Sequence, residues 1–149
     1  MRTFRDIAAE SAPLETMSER AYGEATYLFG DLCSVASVGH LSVGFLIASE
    51  RGRDGFISQV AVLPEHRRRG IAAQMLDRTT VLLAHRGVRD VLVPVPDGDE
   101  VSRRMIFRLA ERWSTRPGVE GRWEREYRTE SILSVRLGKP GRRLSALYL

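Results

Sequence analysis

The chain has 149 residues, 43% hydrophobic and 28% charged, with a formal net charge of +4. That length suits one domain over 1–149 built around one core, and no apolar run is long enough to cross a bilayer. A single cysteine, Cys33, excludes an internal disulfide and a zinc site built on cysteines.

The opening "MRTFRDIAAESAPL" is interrupted by Arg2, Arg5, Asp6 and Glu10, so it lacks the apolar core of a signal peptide. Cytoplasm is the expected compartment. Residues Met1 to Ile7 read as a short first strand, and Pro13 marks a break. From Leu14 to about Leu32 the apolar residues Met17, Ala21, Ala25 and Leu28 recur at helical spacing. "CSVASVGHLSVGFLIAS" then reads as two strands around a turn near Val38 to His40. A second turn is expected in "RGRDG", with Asp54-Gly55 at its tip. "FISQVAVL" alternates with apolar residues on both sides, Phe56, Ser58, Val60 and Val62 one way and Ile57, Gln59, Ala61 and Leu63 the other. That pattern implies a central strand.

Gly70 to Arg86 reads as a helix that stops at Gly87. "VRDVLVPV" follows as a strand. Pro94 cannot donate to a ladder, so this strand should part from a neighbour near its end. Ser102 to Trp113 reads as a helix with Asp99 as its N-cap, and "GRWEREYR" with "SILSVRL" as a closing hairpin. Trp113 and Trp123 are expected to anchor that helix and hairpin in the core. The whole is a mixed α/β sheet covered on its faces.

The histidines, His40, His66 and His85, show no metal-ligand spacing, and no metal is expected. Nearly all the basic residues are arginine, Lys139 being the only lysine. The positive balance suits an anionic ligand. Acidic residues are spread along the chain and no aromatics interleave with the arginines, so nucleic acid is not the expected partner.

One stretch concentrates the positive charge: "AVLPEHRRRGIAAQML", a strand running into a basic turn and then a helix. The first N–H groups of a helix have no partner within it, and together with the helix dipole they attract an anion. Gly70 lets the backbone approach closely, Ala72 keeps the approach open, and Arg67, Arg68 and Arg69 add charge. Such a turn suits a pyrophosphate. No lysine and hydroxyl residue follow the glycine, which excludes a Walker loop, and no Gly-x-Gly-x-x-Gly is present.

Arg67-x-x-Gly70-x-Ala72, after a strand and a proline and before a long helix, resembles the acetyl-CoA motif of the GNAT superfamily of N-acetyltransferases. The resemblance implies the GNAT fold, a mixed sheet of about six or seven strands splayed after the central strand and flanked by helices. It implies acetyl-CoA as cosubstrate, cradled by the backbone of Arg67, Arg68, Arg69, Gly70, Ile71, Ala72 and Ala73. The strand around Val60, Ala61 and Val62 would pair with the pantetheine arm, and an N–H near Val62 would face the thioester carbonyl. Many relatives protonate the leaving thiolate with a tyrosine on the next helix. Ile106 and Phe107 stand there and carry no hydroxyl.

"FGDLCSVASVGHLSVGFLIAS" and "FISQVAVLPEHRRRGIAAQML" are also similar to the L-2,4-diaminobutyrate acetyltransferases of the ectoine pathway, a likeness over roughly residues 14 to 112. It implies Glu15 and Glu130 as the carboxylates near the acceptor amine. Arg20, Tyr22, Ser58 and Gln59 would line the acceptor site. Arg20 and Ser58 replace a tyrosine and a tryptophan, and Asp99 replaces an asparagine, which implies a shifted or broader substrate. Both glutamates are residue types that also serve as solvated carboxylates on a helix and a strand. Dimers are common in this family, so a homodimer is expected, with the apolar tail after Lys139 adding a strand or packing on a second subunit. Three other readings stay open: a catalytically weak acyl-CoA-binding regulatory domain, an acetyltransferase of protein amines, and one acting on an aminoglycoside-like drug.

Overall fold

The structure, a computed structural model, describes residues 7–8, 19–124, 126 and 128–139. Helix α1 spans Glu19–Phe29, followed by strands β1 Ser34–Val38, β2 Leu41–Arg51 and β3 Asp54–Val62. A single 3-10 turn, Pro64–His66, leads to helix α2, Ile71–His85. Strand β4 Asp90–Pro96, helix α3 Glu100–Arg112, and strands β5 Gly118–Glu124 and β6 Thr129–Arg136 complete the described chain.

The six strands form one sheet in the order β1-β2-β3-β4-β6-β5. Every neighbouring pair is antiparallel except β3 and β4, which run parallel. Side chains alternate across each strand, and β2 shows how both faces are buried. Leu46 and Ala48 enter a core shared with α2 and α3, while Phe45 and Ile47 enter a second core with Tyr22 of α1. Thus α2 and α3 cover one face and α1 the other, with Ile7 and Ala8 buried beside it.

Several expectations change. Ile7, assigned to a first strand, is helical together with Ala8; the rest of that segment lies outside the described residues. The same holds for residues 14–18 of the first helix and for the apolar tail. The second hairpin turns at Gly52-Arg53, because Arg51 pairs with Asp54; Gly52 takes the left-handed conformation, φ 61°, that a two-residue loop requires. Trp113 is buried and its Nε1 donates to Thr80 Oγ1 at 3.1 Å, but Trp123 is 46% exposed on the edge strand β5.

The largest change is in β3. Ile47 pairs with Gln59 but Ala48 with Ile57, so Ser58 is an extra residue in the strand, a β-bulge. Its effect is to reverse the alternation. Ile57 packs in the same core as Val62, while Ala61 and Leu63 belong to the other.

Candidate active site

After Leu63 the chain turns through Pro64–His66, and Arg68 and Gly70 both take positive φ, 62° and 76°. Left-handed residues set between ordinary ones wind the main chain so that its N–H groups converge, an arrangement suited to an anion. Gln74 N–H bonds the Gly70 carbonyl at 3.0 Å. The N–H groups of Ile71, Ala72 and Ala73 therefore precede the first bond of α2, and no side chain caps that end. A Cβ placed on Gly70 would meet nothing within 4 Å, so its φ is what calls for glycine there. Arg67, Arg68 and Arg69 are exposed around the turn. Arg67 Nε donates to the Val62 carbonyl at 3.0 Å and ties the turn to the end of β3.

Beside this turn the sheet opens. β3 and β4 pair only at Asp54 to Phe56 with Asp90 to Leu92, and beyond that level they separate. Main-chain bonds define what lines the gap. Leu63 N–H donates to the Val43 carbonyl at 2.8 Å, so Leu63 faces β2; by alternation Val62 and Val60 turn their peptide groups toward β4. The peptide group of Ala61 faces β2, and its side chain is buried. Across the gap, Leu137 N–H bonds Arg89 O and Asp97 N–H bonds Thr129 O. Odd-numbered groups of β4 thus face β6, and Pro94, with no N–H, faces the opening.

On the face that carries α1, the Tyr22 hydroxyl donates to Gln59 Oε1 at 2.8 Å. Tyr22 is buried against Phe45, ring edge to face at 5.7 Å. Across the opening, Leu133 and Val135 of β6 enter the α2/α3 core, so Glu130 points to the α1 face. Glu130 pairs in register with Pro96. Gln59 lies three residues beyond Phe56, the partner of Leu92. Gln59 stands on β3 at the edge of the gap, while Glu130 stands on β6, one strand beyond β4. Glu130 is a buried carboxylate, 2% exposed, not a solvated one, and the Arg128 guanidinium lies 2.9 Å from it.

The remaining candidates divide. Val60, Val62, Ile71, Ala72 and Ala73 are brought together along the opening and the start of α2. Ser58 is exposed at the bulge. The Arg20 side chain is 88% exposed and pairs with Glu24 at 2.8 Å. Glu15 lies outside the described residues. Both oxygens of Asp99 are occupied in capping α3, one by Ser102 N–H at 3.1 Å and the other by Ser102 Oγ at 2.6 Å. Burial pushes the Cys33 thiol up, outweighing the lowering by the Ala48 bond and by Arg78, so it is not an activated nucleophile. Among the described residues no group of three or more His, Cys, Asp or Glu side chains is placed to hold a metal. No helix among them is long and apolar enough to cross a membrane.

Sequence reasoning missed the Arg128–Glu130 pair, which brackets Thr129, the first residue of β6. It also missed the Arg67–Val62 bond, for which no local signal exists.

The family model described as "Acetyltransferase (GNAT) family" matches residues 5–109. The chain is a GNAT acetyltransferase. The fold is the α/β GNAT fold, and the enzyme is an acetyl-CoA-dependent N-acetyltransferase. The opening, the uncapped helix start and the basic turn fit acetyl-CoA as cosubstrate. Among solved structures, diaminobutyrate acetyltransferase EctA from Paenibacillus lautus, in complex with L-2,4-diaminobutyric acid and coenzyme A, is 27% identical with a TM-score of 0.80. The match covers 91% of this GNAT chain and 87% of that one. Ard1 from Thermoplasma volcanium is 16% identical with a TM-score of 0.79, covering 90% and 88%. Naa20 from Chaetomium thermophilum, in complex with a bisubstrate analogue, is 14% identical with a TM-score of 0.76, covering 90% and 82%. No curated protein sequence matches the chain.

Proposed function

We propose that this GNAT enzyme acetylates a primary amine of a small molecule, and that its acceptor is a diamino acid of the 2,4-diaminobutyrate type. The observation that carries the reading is a buried carboxylate, Glu130, on the same face of the sheet as the Tyr22–Gln59 pair. The 27% identity to EctA, crystallised with 2,4-diaminobutyric acid, supports the acceptor class.

Acetyl-CoA supplies an acetyl group on an activated thioester. The N–H groups of Ile71, Ala72 and Ala73, with the turn before them, hold its diphosphate, and the peptide groups of Val60 and Val62 bind the arm that enters the opening. The Val62 N–H meets the carbonyl oxygen on which negative charge grows during attack. An alkylammonium has a pKa of about 10, so the amine reaches the site protonated. Glu130 takes one proton from it, directly or through a water, and later returns that proton to solvent. The freed nitrogen bonds to the thioester carbon as the carbon–sulfur bond breaks. Ile106 and Phe107 offer no acid, so the nitrogen's second proton reaches the departing thiolate through water. Tyr22, held by Gln59, orients the acceptor. Cys33 takes no part in direct transfer.

The test is thiol release from acetyl-CoA with a panel of amines: 2,4-diaminobutyrate, lysine, spermidine, an aminoglycoside and peptides with free N-termini. Fastest release with 2,4-diaminobutyrate is expected. Faster release with peptides overturns the acceptor class, and no release with any amine, despite CoA binding, overturns the reading entirely.

A further inference from the structure

We infer that two side-chain bonds behind the sheet, Arg112 to Asp77 and Trp113 to Thr80, set the width of the opening between β3 and β4. These four are then positioning residues for the cosubstrate. The inference rests on the reading above, in which the arm of acetyl-CoA enters that opening, and adds what fixes its width. The splayed sheet has two halves. α2 packs on β1, β2 and β3, and α3 on β4 and β6. α2 is tied to its half by Thr79 Oγ1, which donates to the Leu32 carbonyl at 3.2 Å, and by Arg86 Nη1, 2.6 Å from Glu50 Oε1. Between the halves, strand pairing is confined to Asp54 to Phe56 with Asp90 to Leu92, at one end of the gap. Two directional bonds join the helices. Arg112 Nε donates to Asp77 Oδ1 at 2.6 Å, and Trp113 Nε1 donates to Thr80 Oγ1 at 3.1 Å. The Thr80 hydroxyl itself donates to the Leu76 carbonyl at 2.9 Å, which leaves its lone pairs for Trp113.

Both bonds stand level with the open part of the gap. A Cβ built on Gly55 would meet Leu83 Cδ1 at 2.8 Å, so Leu83 marks the paired end. One built on Gly44, the partner of Val62, would meet Met75 Cε at 3.4 Å, so Met75 marks the open end. Asp77 and Thr80 lie between them on α2, about 9 and about 4.5 Å along the axis from Leu83. With the strands paired only at the far end, a bond at this height resists spreading of the halves. The width matters because the arm has to reach peptide groups of β3 from within the gap. A good hydrogen bond spans only about 2.7 to 3.2 Å, so a small spread breaks it. Water does not readily replace either bond, since Thr80 is fully buried and Asp77 and Trp113 nearly so.

CoA and its fragment 3′-phosphoadenosine 5′-diphosphate, which keeps the diphosphate and lacks the arm, separate the two ends of the site. Calorimetric titration reads the affinity for CoA, and displacement of CoA reads that for the fragment. The wild type is expected to bind CoA at least about tenfold more tightly than the fragment. Asp77→Leu with Arg112→Leu keeps apolar contact between the helices but no directional bond, and Thr80→Val removes the acceptor of the other bond. Each should weaken CoA by about three- to tenfold, the loss of one hydrogen bond, with the fragment unchanged. Asp77→Asn still accepts from Arg112 and should keep the wild-type ratio. Partial unfolding lowers the number of binding sites and leaves this ratio alone; where one variant does not fold, the other decides. An unchanged ratio, or equal weakening of CoA and fragment, overturns the inference and leaves the acetyltransferase standing. CoA no tighter than the fragment in the wild type overturns the placing of the arm on which it rests.

Discussion

Arg67 Nε donates to the carbonyl oxygen of Val62 at 3.0 Å, so a side chain of the basic turn closes on the end of the strand that lines the opening. The bond couples two parts of the proposed cosubstrate site, the turn before α2 and the inner peptide groups of β3. It also gives Arg67 a different duty from Arg68 and Arg69, whose charge lies around the turn.

Arg67→Lys keeps the charge and loses this bond. CoA affinity is expected to fall by about three- to tenfold, less than a buried charged hydrogen bond would give, because Arg67 is exposed. Arg68→Lys should change affinity by less than twofold. Titration calorimetry on both variants checks this, and equal losses would deny Arg67 its separate role.

Glu130→Gln removes the proposed proton acceptor and keeps the shape. kcat should fall by about a hundredfold, within the usual range for general base catalysis, with CoA affinity unaltered. Steady-state kinetics at saturating acetyl-CoA reads it. A kcat within twofold of wild type would assign the proton to another group.

Burial raises the Cys33 thiol above its ordinary range, and its sulfur sits 3.6 Å from the Ala48 carbonyl. Iodoacetamide near neutral pH should therefore leave the native enzyme active, and Cys33→Ala should retain turnover. Rapid loss of activity in step with one alkylated thiol would contradict both the burial and the direct-transfer mechanism.

Asp77 of α2 and Arg112 of α3 form a largely buried ion pair at 2.6 Å, and Arg112 Nη2 is buried with no hydrogen-bond partner among the described residues. Burial raises the Asp77 carboxyl above its ordinary 3.8, against the lowering by Arg112. The native state then holds a proton that the unfolded chain has already released. Between 3.8 and the raised native value, this group makes stability fall as pH rises. Chemical denaturation across that window should show the slope, and Asp77→Asn should remove it. Near pH 7, Asp77→Leu alone strands the guanidinium and is expected to cost about 3 kcal/mol, while Asp77→Leu with Arg112→Leu costs much less.

Where the chemistry is local, it could be read from residues alone. The strand, basic turn and helix of Val60 to Leu76 carry their meaning in consecutive positions, and so do the Asp99 cap and the missing donor of Pro94. Features set by distant pairing could not be read. The bulge at Ser58 exists because β3 must match β2 across Ile47 and Ala48, and nothing within "FISQVAVL" marks it. Gly52 and Gly55 both allow a turn, and only the pairing of Arg51 with Asp54 selects the first. Trp123 is an aromatic in a strand, which suggests burial; its place on the edge strand leaves it half in solvent. Glu130 carried no mark of burial in the sequence.

The central claim is that main-chain donors at the start of α2 hold the cosubstrate's diphosphate. Titration calorimetry of CoA against the wild type and Gly70→Glu tests it most directly. The substitution puts a negative side chain on a residue with φ 76°, in open space at the helix start. The account predicts saturable heat for the wild type and at least a hundredfold weaker binding for Gly70→Glu, with Arg20→Ala binding as the wild type does. Absence of heat for the wild type, or equal affinity in Gly70→Glu, would contradict it.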